Sequence, residues 1–421
     1  MAIYSNNFRN FIFFLITACW AFYLTSCKPS SRISETRTGK VSGNQAVASE
    51  SFNEASIRPG AERTRQYFSR IHDKRVAVVA NPTSMIGNVH LVDSILSAGI
   101  QVVRVFTPEH GFRGQAEAGE LVNNSTDALT GLPIVSLYGD HRKPDIVDMQ
   151  DIDLVIFDIQ DVGVRFYTYI STLTLVMEAC AENNVSLLVL DRPNPNGFYI
   201  DGPVLKPEFT SFVGMHPIPI VYGMTMAEYA RMVNGQHWLK DSLICDLDWV
   251  EVSAYTHSRH YKLPVNPSPN LKDMNAIYLY PSICLFEGTK VSVGRGTDSP
   301  FCVVGYPGYP DGNYQFTPVS IPGASLKPPY MNELCNGYNL VPYVDELLEN
   351  PGLKLDWLIR MYQSSDKTGF FTSFFDKLAG GDALKQQIES GLTEEEIRQS
   401  WQDDLKKFRA IRKKYLLYRD F

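Results

Sequence analysis

From Arg75 onward the chain alternates short apolar runs with amphipathic stretches. "RVAVVANPTS" is almost continuously apolar until it breaks at Asn81-Pro82, the pattern of a strand covered on both faces. A helical segment from about Asn88 to Ala98 leads to "QVVRVFTPEHG". "LPIVSLYG", "IDLVIFDIQDVG", a helix through "TLTLVMEACAENN" and "SLLVLDRPNP" follow. Strands alternating with helices predict an α/β fold, a doubly wound parallel sheet with right-handed crossovers. "GMTMAEYARMVNG" adds a helix, with Thr225 and Glu228 in capping-box spacing and Gly235 as its stop. Beyond about Pro281 the texture turns dense in Gly, Pro and Tyr before the chain closes in helices. The last helix is predicted to start at Thr393 with Glu396 as capping partner. It would put Ile397, Trp401, Leu405, Phe408 and Tyr415 mostly on one face. The expected organisation is an α/β domain over 63–280 and a second, smaller α/β domain over 281–421.

Two segments precede this pattern. Arg9 leads into "FIFFLITACWAFYLTSC", short for a membrane span with flanks and suited to a signal-peptide core. It ends Leu24-Thr25-Ser26-Cys27, an aliphatic residue, two small ones and a cysteine, the order of a bacterial lipobox. Small residues admit the signal peptidase, and the Cys27 thiol carries the diacylglycerol. Residues 1–27 therefore read as a lipoprotein signal peptide. The expected location is the cell envelope, on a membrane through the lipid and facing the periplasm. An uncleaved anchor or a plain secretory signal would equally place the protein outside the cytoplasm. Residues 28–62, rich in Ser, Thr, Gly and charge, read as a flexible tether.

Composition narrows the function. A chain of 421 residues, 44% hydrophobic, supports two or three domains with a substantial core. A net charge of −7 and the absence of a basic patch argue against nucleic acid as a partner. Cys180, Cys245, Cys284, Cys302 and Cys335 are widely spaced with no CxxC, so they are expected as small core residues. No cofactor is expected: GxxxxGK[ST] and GxSxG are absent, and "HSRH" at His257–His260 lacks the HExxH pattern.

Ligands of open α/β sheets bind beyond the carboxyl ends of the strands. Four strands here end in reactive, turn-forming sequence: Asn81-Pro82-Thr83, Pro108-Glu109-His110-Gly111, Asp158-Ile159-Gln160-Asp161 and Asp191-Arg192-Pro193. Glu109 is the leading candidate. A partly desolvated carboxyl group there would hold its proton more tightly and serve as a general acid. A loop carboxylate satisfied by backbone N–H groups or by Arg113 is the ordinary alternative. "DVGVRFYTY" offers Arg165, Tyr167 and Tyr169, rings to stack on a sugar face and a guanidinium to grip a carboxylate, or else an aromatic core strand. "NPSPN" could present Asn270 to hydroxyl groups, and "LFEGTKVSVGRGTDSPF" adds Glu287, Arg295 and Asp298 on a cleft wall.

The strings "NPTS", "FTPEHGFRG", "DVGVRFYTY", "DRPNPNG", "NPSPN", "FEGTKVSVGRGT" and "RKKYLLYRDF" together resemble the exo-β-N-acetylmuramidases of the NamZ type, in order from about residue 65 to the C-terminus. The resemblance implies a Rossmann-like domain, a smaller C-terminal domain and an active cleft between them. It implies release of terminal N-acetylmuramic acid from the non-reducing end of peptidoglycan fragments, with the catalytic glutamate of the PEHG motif at Glu109. Glycoside cleavage usually takes two carboxyl groups. The second role stays open among Glu287, Asp158, Asp161 and Asp298, and the sugar's own 2-acetamido group is a further possibility. Asn81, His110, Tyr167 and Asn270 are candidate substrate ligands. Arg113, Arg165 and Arg295 are candidates for the lactyl carboxylate. Rival readings are a lipoprotein that binds cell-wall glycans without cleaving them and a metal-dependent hydrolase of another bond. Oligomeric state is not legible.

Overall fold

The computed structural model describes residues 56–113 and 125–421. The lipobox with Cys27 and nearly all of the expected tether lie outside them. The folded body begins ahead of residue 63: Gly60 N donates to Asp191 O at 2.7 Å, and Gly60 and Ala61 are buried.

The apolar runs form one seven-stranded sheet. Its strands are β1 (Val76–Ala80), β2 (Val102–Thr107), β3 (Ser125–Thr126), β4 (Pro133–Ser136), β5 (Leu154–Asp158), β6 (Ser186–Leu190) and β7 (Leu247–Val250). Their order is β3-β4-β2-β1-β5-β6-β7, parallel except for β3, which runs antiparallel to β4. Alternate residues of a strand point to opposite faces. Ala77 and Val79 of β1 accordingly enter one core cluster, while Val76, Val78 and Ala80 enter another. Helix α1 (Leu91–Ser97) covers the second face with Leu91, Val92 and Ile95. Helices α2 (Tyr169–Asn183) and α3 (Met226–Gly235) cover the first. The sheet is therefore doubly wound. The chain leaves β1 for β2 on one side and reaches β5 on the other, which opens a crevice at their carboxyl ends.

The expected capping box is present on α3: Thr225 accepts from Glu228 N and Glu228 accepts from Thr225 N at 3.0 Å. Helix α4 (Met274–Ile283) spans the expected boundary region, and residues on both sides of it share one core cluster. Beyond it lies a three-stranded antiparallel sheet, Val303–Tyr306, Cys335–Asn339 and Tyr314–Phe316 in spatial order, with helices from Val344 to Arg412. All five described cysteines are buried and unbridged.

Two elements differ from the pattern reading. "DVGVRFYTY" forms no strand; it turns through Asp161–Thr168 and feeds α2 at Tyr169. The last predicted helix is two, Glu394–Ser400 and Gln402–Arg412, broken at Trp401, whose φ of −104° and ψ of 3° leave the helical range. Ile397, Trp401, Leu405 and Phe408 are buried as expected, because the break at Trp401 keeps both short helices facing one core. Tyr415 lies past the helix and is only half-buried.

Candidate active site

The turns that follow β2 and β5 meet at one cavity. Glu109 and His110 follow β2, and Tyr167, Thr168 and Tyr169 enter from the turn before α2. Glu287 and Arg295 face them from the stretch after α4, with Tyr280, Cys284 and Phe301 as the adjoining wall. The "PEHG" turn that aims the first pair is sharply bent. His110 and Gly111 both have φ of 74°, a left-handed conformation that glycine accepts and histidine rarely does.

Glu109 is half-buried, and the Tyr138 hydroxyl at the end of β4 hydrogen-bonds to it. Burial, and then the Glu109 charge, push the Tyr138 phenol up to about 12, so it stays a donor throughout the neutral range. His110 is buried, and its Nδ1 has no hydrogen-bond partner. Burial lowers its pKa below the usual 6.5; the Glu109 charge opposes this and Arg295 reinforces it. Arg295 Nε donates to Glu287 Oε1 at 2.6 Å, and its guanidinium sits 5.0 Å above the Phe301 ring. The Cys284 thiol lies 3.5 Å from the other Glu287 oxygen. The Tyr167 hydroxyl donates to Pro267 O at 2.7 Å, which anchors the "NPSPN" loop so that Ser268 reaches the cavity.

Of the residues singled out from the sequence, Glu109, His110, Tyr167, Tyr169, Glu287 and Arg295 meet in this cavity. The others do not line it. Arg165 is fully buried and donates to Pro203 O, Ile218 O and Leu378 O at 2.8–2.9 Å. Desolvation pulls its pKa down to about 9. It ties Leu378, a cavity-wall residue, to the first half of the chain. Gly380 makes this close approach workable, since a Cβ there would sit 2.5 Å from the Arg165 guanidinium. Arg113 is locked between Asp93 and Asp127 by four hydrogen bonds, and it holds the Asp127 carboxyl down at about 2. Asp161 is buried behind the wall, where its Oδ2 accepts from Gly163 N and the Tyr222 hydroxyl; burial raises its pKa to about 6. Asp158 forms a buried two-pronged pair with Arg192 at 2.6 and 2.8 Å, and Asp298 is exposed beside a different groove. Asn81 is fully buried and braces Thr83 through Oδ1, while Asn270 spends its amide on Ala324 O.

Tyr138 went unnoticed in the sequence although it ends a strand, "LPIVSLYG", as Glu109 follows one. Tyr280, Phe301, Phe374 and Leu378 carried no local signal, since each reads as ordinary core. Among the described residues, the one group with metal-ligand geometry, His141 with Asp145 and Asp148, does not line the cavity.

Fold and cavity together describe an α/β enzyme suited to an acidic sugar, with carboxyl groups for proton transfer, a guanidinium for an anionic substituent and aromatic walls for a ring face. The particular family follows from comparison with known proteins. The chain belongs to the exo-β-N-acetylmuramidase NamZ family, whose N-terminal and C-terminal models match residues 76–275 and 278–418. It is 37% identical over 371 residues to the peptidoglycan β-N-acetylmuramidase NamZ of Bacillus subtilis (strain 168), covering 84% of this chain and 89% of that protein. Two crystal structures of DUF1343 family proteins from Bacteroides fragilis NCTC 9343 share the fold. One has a TM-score of 0.81 at 48% identity, covering 87% of this chain and all of that one. The other has a TM-score of 0.72 at 26% identity, covering 86% and 99%.

Proposed function

We propose that this protein is an exo-acting glycosidase that releases terminal β-linked N-acetylmuramic acid from the non-reducing end of peptidoglycan fragments. Family membership and the activity named for the Bacillus subtilis relative support the reaction. The observation that carries the assignment of chemistry is Glu109, a half-buried carboxyl group on a bent turn at the cavity, held by the Tyr138 hydroxyl. It acts as the general acid that protonates the leaving glycosidic oxygen. Arg295 receives the lactyl carboxylate, the group that distinguishes muramic acid from N-acetylglucosamine. Glu287 and the Phe301 ring hold its guanidinium in a fixed plane, so a second charged partner costs little further ordering. Tyr167, Tyr169 and Tyr280 supply the apolar wall for the sugar ring.

The N-terminal pattern supports a lipoprotein, with diacylglycerol on Cys27 and the enzyme facing the periplasm. Replacing Cys27 by Ala and following radiolabelled palmitate tests this part: loss of label with release from the membrane fraction is expected, and label retained by the variant refutes it.

The catalytic reading is tested with chromogenic β-N-acetylmuraminide and β-N-acetylglucosaminide, using the chain without residues 1–27 and its Glu109→Gln variant. Release from the muraminide alone, abolished by the substitution, is the expected result. Activity undiminished in Glu109→Gln would remove Glu109 from the chemistry. Binding of the glycan without any release would favour a non-catalytic lipoprotein.

A further inference from the structure

The second catalytic group remains to be found, and the carboxylates are poorly placed for it. Asp158 is committed to Arg192, Asp161 is buried behind the wall, Asp298 faces another groove, and Glu287 is bound to Arg295. His110 is different. It lines the cavity, is only 7% exposed, and keeps a buried Nδ1 without a partner. Its φ of 74° is a strained conformation for a residue with a Cβ, and such strain gathers at ligand sites. The charged groups acting on it are Glu109 and Arg295. On the glycosidase reading, these face the anomeric carbon and the lactyl group on C3. The substituent between those two positions is the 2-acetamido group.

We infer that His110 Nδ1 accepts the N–H of the substrate's 2-acetamido group, and that the acetamido carbonyl oxygen is the nucleophile. The inference rests on the glycosidase reading above. In the first step the carbonyl oxygen bonds to C1 as the C1–O glycosidic bond breaks. The Glu109 proton passes to the leaving oxygen. The amide proton passes to Nδ1, leaving a neutral oxazoline and an imidazolium. In the second step water attacks C1, the Glu109 carboxylate takes a water proton, and the C1–O bond of the oxazoline opens. The imidazolium returns its proton to nitrogen. One water is consumed, both residues are reset, and the β configuration is retained. The lowered pKa of His110 keeps its imidazole in the accepting form at neutral pH.

The test uses chromogenic β-muraminides whose N-acyl group is acetyl, fluoroacetyl, difluoroacetyl or trifluoroacetyl, with the wild-type enzyme. Fluorine withdraws electrons from the carbonyl oxygen, so kcat/KM is expected to fall by more than about 10²-fold across the series, a size typical of losing one catalytic group. Proton NMR should show the β anomer released first. A flat series or first release of the α anomer overturns the inference while leaving the glycosidase reading intact. No release from the parent acetyl compound overturns both. His110→Gln is expected to lose about 10²-fold in kcat with KM changed by a few fold. The acid limb of its kcat/KM profile, where His110 becomes protonated and inactive, should disappear. An unchanged acid limb in an active variant also overturns it. Should the variant fail to fold, the wild-type series alone decides.

Discussion

Asp161 gives a prediction in which stability and catalysis separate. Its carboxyl is buried, Oδ1 has no partner, and burial raises its pKa from the ordinary 3.8 to about 6. An acid with a raised folded-state pKa binds its proton more tightly in the native state. Between about pH 4 and pH 6 the native form therefore holds more protons than the unfolded chain, and stability falls as pH rises through that window. At about 1.4 kcal/mol per pH unit the whole effect is about 3 kcal/mol, and most of it falls between pH 4 and pH 8. Asp161→Asn keeps an oxygen to accept from Gly163 N and Tyr222 and cannot ionise. Whatever its fixed packing cost, the variant should gain about 2–3 kcal/mol relative to wild type on moving from pH 4 to pH 8. Urea denaturation of both proteins at the two pH values measures this double difference. Because Asp161 does not line the cavity, the variant should also keep its activity at pH 7 within a few fold. A double difference under about 1 kcal/mol would refute the desolvation argument, and a 10²-fold loss of activity in a folded variant would return Asp161 to the chemistry.

Other substitutions have equally specific outcomes. Arg192→Met leaves the Asp158 carboxylate buried without its partner and should cost about 3–5 kcal/mol in chemical denaturation; a loss below about 1 kcal/mol would mean that water reaches Asp158. Arg165→Met removes three hydrogen bonds to backbone carbonyls and should lower stability by a few kcal/mol. It should not lower muraminide preference, which a lactyl-binding role would require. Arg295→Gln should cut the ratio of kcat/KM for muraminide over glucosaminide by about 10–100-fold, the worth of a charge-assisted hydrogen bond; an unchanged ratio would place the lactyl group elsewhere. Overnight dialysis against a chelator should leave muraminide release unchanged, and a loss restored by divalent metal would favour the metal-dependent reading.

The parallel sheet was legible because strands buried on both faces must be apolar throughout, and "RVAVVA" and "DLVIFD" are. The carboxyl-end rule then led to Glu109 and His110 without any three-dimensional information. The arginines show where such reading stops. Arg113, Arg165 and Arg295 are chemically identical in the sequence, and each lies near an aromatic or a glycine. What distinguishes them is remote: two carboxylates for Arg113, three carbonyls as far away as Leu378 for Arg165, and Glu287 for Arg295. The break at Trp401 was invisible for a related reason, since no glycine or proline marks it and the apolar spacing runs through unbroken. Tyr138 falls under the same strand-end rule as Glu109, since it closes the run "LPIVSLYG".

Residues 412–419 are stitched to Asp191 and to the segment from Gly223 to His257. Tyr418 donates to Asp191 at the end of β6, Leu417 N donates to Glu228 on α3, Arg412 reaches Gly223 O, and Arg419 O accepts from His257 N. Asp191, for its part, holds Gly60 at the beginning of the folded body. A nascent polypeptide emerging from a ribosome cannot make these bonds until residues 412–419 have been added. Asp191 at the end of β6 and Glu228 on α3 therefore lack these partners while residues 76–250 are already able to pair as a sheet, and such long-range contacts slow folding and prolong exposure of sticky surface. A C-terminal truncation of a few residues would thus act less like trimming an edge than like withholding the last stitch of a seam, with the cost appearing in yield of folded protein before it appears in turnover.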